Sequence, residues 1–155
     1  MLSSLQDLFD ALRPPTLAET EAEQQRLLRL AAAVLMVEVM HAEPDCGEPA
    51  RHAAIDGLRR EFDLNEDEVA RLLELALQTS RAASDFFAFT SQVNAGFDMA
   101  QKVTMIEHLW RVAYADGTLG DGENHVMRKI ADLLYIPQGA YINAKLRARH
   151  DAGAD

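Results

Sequence analysis

Tyr114-Ala115-Asp116-Gly117-Thr118-Leu119-Gly120-Asp121-Gly122-Glu123 interrupts two stretches of helical periodicity. Before it, Met99, Val103, Ile106, Trp110 and Ala113 form one stripe over Asp98 to Tyr114, with Glu107, His108 and Arg111 directed elsewhere. After it, Val126, Met127, Ile130, Leu133 and Leu134 continue a helix that runs from Glu123 to Leu134. Three glycines and three acids between them predict a helix-loop-helix joint rich in carboxylate oxygen. A fainter counterpart lies upstream. The apolar segment ending in Met40-His41-Ala42 enters Glu43-Pro44-Asp45-Cys46-Gly47-Glu48-Pro49, and another helix follows.

Oxygen donors crowded at a turn suit hard cations such as Ca²⁺ or Mg²⁺. Asp116, Asp121 and Glu123 are the candidate metal ligands of the second joint; Glu43 and Glu48 are those of the first. The second joint is not an EF-hand. Counted from Asp116, the position for the turn glycine holds Asp121 and the closing glutamate position holds Met127. The same residues also fit ordinary capping, since an acid in a first helical turn and a glycine in a turn are stabilising without metal.

The rest of the chain reads as helix. Leu5, Leu8, Phe9 and Leu12 make a short amphipathic arm that Pro14-Pro15 ends. Leu27 to Val37 is apolar on nearly every side, the mark of a central helix. Ile55, Leu58 and Phe62 pattern a helix from Glu48, with Pro49 in its tolerant first turn. Asn65 and Glu68 form a capping pair ahead of Val69, Leu72, Leu73 and Ala76, in a helix expected to fray at Gln78-Thr79-Ser80. Phe86, Phe87 and Phe89 open a short aromatic helix that stops near Gly96, and Ile136-Pro137 opens the last. No period-two run is long enough for a strand. The fold expected is all-α, a single-domain bundle of about seven to eight helices. Glu48/Ile55/Leu58 and Glu123/Ile130/Leu133 share spacing, so two pseudo-repeated halves are expected, each helix, acidic loop, helix.

With 155 residues, 48% of them apolar, the chain can bury a core of its own. A net charge of −10 opposes binding to nucleic acid or an anionic membrane. One cysteine, Cys46, allows no internal disulfide, and the densest apolar run is too short for a membrane span. A cytoplasmic location is expected.

Few residues point to catalysis. Glu38 and His41 share a face with Leu27, Leu30 and Val34, and their Glu-x-x-His spacing is that of carboxylate-bridged di-iron bundles, which need the motif on two helices and two further Glu residues. Only one copy occurs, so a satisfied polar pair is the stronger reading and a metalloenzyme the minor one. Cys46 as a soft ligand or nucleophile is an outside alternative. Neither a nucleophile elbow nor a phosphate-binding glycine loop is present.

Ala115 to Glu123, followed by Val126, Met127, Ile130, Ala131, Leu133 and Leu134, resembles the TerB-like domain of tellurite-resistance proteins and of DjlA co-chaperones. The likeness spans about Leu27 to Leu146. It implies an all-helical, non-catalytic module of two related halves whose acids bind a divalent metal (Ca, Mg, Mn or Zn) within a stress-response assembly. By that resemblance Asp116 and Glu123 carry the site, followed by Glu43 and Glu48; Glu43-Pro44 stands where the family has Asp-Gly. The organisation expected is an arm over 1–15, a TerB-like domain over 16–150 and a disordered tail over 151–155. Protein partners are expected, with a homodimer among the candidates. The alternative is a metal-independent interaction scaffold that uses its acidic surface and the arm.

Overall fold

A helix with apolar residues all round is stable only when other helices enclose it, and Ala31 to Val37 are each no more than 1% exposed. These residues belong to α1 (Leu17–Met40), the axis of the molecule. The structure, a computed structural model, describes residues 17–43 and 47–153, with side chains from residue 20 onward. The proposed arm, together with Pro44, Asp45, Cys46 and the last two residues, lies outside the described residues.

Around α1 stand α2 (Glu48–Phe62), α3 (Glu66–Ala82), α4 (Phe87–Gly96), α5 (Met99–Ala113) and α6 (Asp121–Leu133), all of which touch it. The last helix, α7 (Gln138–Asp151), packs chiefly on α5 and continues into the segment expected to be tail. Seven helices and no strand among the described residues make the fold all-α. The small side chains Ala31, Ala32 and Ala33 let neighbours approach α1 closely, and Leu35, Met36, Trp110, Met105 and Met127 fill the spaces between helices.

Local sequence sets several helix starts. Asn65 accepts from the Glu68 amide while Glu68 accepts from the Asn65 amide, and Asp98 with Gln101 repeats the device on α5. Tertiary contacts correct other expectations. The fraying expected at Gln78-Thr79-Ser80 does not occur: α3 runs on to Ala82 because Ser80 Oγ donates to Glu38 Oε1 across 2.6 Å. That contact also answers the Glu38/His41 pairing, since Glu38 is satisfied by Ser80 while His41 is exposed beyond the end of α1. His108, expected to point away from the core, is buried, its Nε2 lying 3.5 Å from Glu61 Oε2. Phe87 is exposed, whereas Phe86 and Phe89 are half-buried against the core.

Candidate metal centre

The two acidic joints meet. Residues 41–47 connect α1 to α2 and residues 114–120 connect α5 to α6, and the packing of α1 and α2 against α5 brings both loops to one end of the bundle. Glu43 reaches from the first loop into the second, where its Oε1 accepts from the Gly122 amide at 2.9 Å. Gly122 lies in the first turn of α6, whose N-cap, Gly120, has no side chain to satisfy the free amides. Glu43 therefore supplies, from 79 positions away in sequence, the oxygen and negative charge that a local N-cap would give. The glycines make this approach feasible. A Cβ on Gly120 would overlap the Glu43 carboxylate, and one on Gly122 would overlap the Ala42 carbonyl.

Glu123 folds back so that its Oε1 accepts from the Gly120 amide at 2.9 Å. Its side chain is only 9% exposed. Burial pushes its carboxyl up to about 7 despite the lowering influence of that amide, and the charges of Asp116 and Glu43 push it the same way. Asp116 is exposed; its Oδ1 accepts from the Thr118 amide at 3.0 Å and the Thr118 hydroxyl at 3.3 Å, while Gly117 turns the loop at φ +90°. Tyr114, buried at the end of α5, has its phenol raised first by burial and further by the charge of Glu123, with Arg149 opposing. Sequence periodicity gave no reason to connect Tyr114 with the acids.

Glu43, Asp116 and Glu123 line one cavity of about 240 Å³, walled by Met40, Pro49 and Val112. The other two sequence candidates stand apart from it. Asp121 and Glu48 are exposed first residues of α6 and α2, placed where a negative charge favours the helix dipole, and neither lines the cavity. The donor chemistry of the remaining trio suits a hard cation: all oxygen and crowded, and a cation there would favour the ionised form of Glu123 that burial and the charges of Asp116 and Glu43 now oppose. The spacing is looser than direct coordination requires. Among the described residues no group of three His, Cys, Asp or Glu side chains is close enough to hold an ion directly. Each of the three carboxylates instead binds a backbone amide through one oxygen.

Among the described residues no helix is long and apolar enough to cross a membrane. Comparison with curated proteins and with solved structures gave no match. A family model, Tellurite resistance protein TerB, does match, over residues 29–146, which takes in both joints and six of the helices in full or in large part. With that match over most of its length, on an all-helical bundle whose two acidic loops adjoin, the chain belongs to the TerB family.

Proposed function

We propose that this protein is a non-catalytic, cytoplasmic TerB module that takes up a divalent cation between its two acidic loops and works in a stress-response assembly of the tellurite-resistance type. The observation that carries the reading is the shared cavity of Glu43, Asp116 and Glu123, two loops contributing to one pocket. Its volume of about 240 Å³ has room for an ion that keeps several of its waters, a state Mg²⁺ favours because it dehydrates reluctantly. Such an ion would offset the mutual repulsion that burial amplifies at Glu123. It would also tie the α1–α2 loop more firmly to the head of α6.

Calorimetric titration of chelator-treated protein with Mg²⁺, Ca²⁺, Mn²⁺ and Zn²⁺ tests this. Saturable uptake of at least one ion is expected, weakened about tenfold by Asp116→Ala or Glu123→Gln, each of which removes one charge-assisted ligand. No saturable heat with any of the four removes the metal from the proposal.

A second reading follows from the amide bonds themselves. If the three carboxylates serve only to secure loop and helix ends, the module is a metal-independent scaffold. Titration then stays flat while Glu43→Ala still lowers stability.

A further inference from the structure

A second cavity lies far along the bundle, where the middle of α1 meets the start of α3. Arg26 and Arg29, three positions apart on one face of α1, line it together with Arg71, Leu72 and Glu68 of α3 and with Leu64 just before that helix. In a chain whose acids outnumber its Lys and Arg by 25 to 15, three guanidinium groups against one carboxylate is a local reversal of sign.

The arginines are poorly neutralised. Among the described residues neither Arg29 nor Arg71 forms an ion pair, and Arg26 pairs only with the exposed Glu23 of its own helix. Arg29 is half withdrawn from water, and its Nε is buried without an acceptor among the described residues. Among the described residues that guanidinium therefore has a donor in search of an acceptor and no paired counter-charge. Glu68 lines the cavity but forms no ion pair with any of the three arginines; its Oε1 accepts from the Asn65 amide in the α3 capping box.

We propose that this cavity is a docking site for a carboxylate side chain carried by an apolar peptide segment of a partner protein. Planar guanidinium forks match a carboxylate in geometry and charge. Leu64, almost buried, and the half-buried Leu72 give an apolar wall for the neighbouring residues of the segment. Glu68 at the rim disfavours a doubly charged phosphate, and the net charge of −10 repels an extended polyanion. A short segment with one acid between apolar residues brings a single charge against Glu68, outnumbered by three guanidinium groups, and is no polyanion. The site shares no residue with the acidic loops, so it stands whether or not those bind metal.

NMR titration of the ¹⁵N-labelled full chain with a capped pentapeptide of Ser, Leu, Glu, Leu and Ser tests the assignment. Saturable shifts are expected at the amides of Leu64, Arg71 and Leu72 and at the Arg29 Nε–H. Arg71→Gln, on an exposed side chain that leaves folding intact, should raise the apparent Kd about tenfold, and Arg29→Gln should do the same. The same peptide with Gln in place of Glu should not saturate. Unchanged Kd in the Arg71 variant, equal binding of the Gln peptide, or no saturable shift at these residues would overturn the proposal. So would tighter binding of inorganic phosphate than of the peptide, which would reassign the site to a free anion.

Discussion

Glu123 shows how one side chain can answer several demands at once. It closes the first turn of α6 on the Gly120 amide, faces Asp116 and Glu43, and is buried. Its unfolded carboxyl ionises near 4.5 and its native one near 7, so between those values the native chain holds an extra proton. Stability therefore falls as pH rises through that window and levels off above it. Glu123→Gln keeps the bond to Gly120 and cannot ionise. In chelator it should match the parent near pH 4 and exceed it at pH 8 by on the order of 2–3 kcal/mol, read from urea unfolding; a gap that does not change with pH would contradict this. Gly120→Ala acts in the opposite direction. Its methyl group displaces the Glu43 carboxylate, for a loss of about 1–3 kcal/mol that should shrink sharply when Glu43→Ala is already present. The acids of the second joint were legible in the sequence as a group, but not their division of labour. Nothing in local spacing separates Glu123, which turns inward, from Asp121, which stays on the surface at the helix start.

At the scale of helices, α6 has both its ends secured by other parts of the chain. Glu43 holds its head, and at its foot Asn94 Nδ2 donates to the Leu133 carbonyl at 2.9 Å while Lys102 Nζ donates to the Leu134 carbonyl at 2.9 Å. Lys102 is buried and also donates to Asn94 Oδ1, an uncommon situation for an ammonium that its two acceptors explain. Lys102→Met should cost about 1–3 kcal/mol, because it leaves the Leu134 carbonyl and Asn94 without their donor. Urea unfolding gives that number, and a neutral result would mean that water replaces the ammonium. These links explain which boundaries could be read from sequence. The starts of α3 and α5 carry their own capping pairs: α3 begins where Asn65 predicts, and α5 within one residue of the start its apolar stripe suggests. Asp121 opens α6 two residues earlier than the sequence pattern suggests, because the cap arrives from a distant loop. Likewise α3 persists past Thr79 because Ser80 is tethered to Glu38.

For the whole molecule, the all-helical architecture and the central place of α1 were legible because Ala31 to Val37 offers no polar face to water. The meeting of the two acidic loops was not, since helical periodicity says which face is buried and not which neighbour buries it. The same limit hid the cavity between α1 and α3, whose arginines belong to helices that the sequence treats as unrelated. The bond from Glu43 to Gly122 joins an early part of the chain to a late one. During synthesis α1 to α5 emerge and can assemble before the residues of α6 exist. Glu43 is then already present when Gly120 and Gly122 appear, so the head of α6 finds its cap waiting and the final two helices close on a loop made long before them.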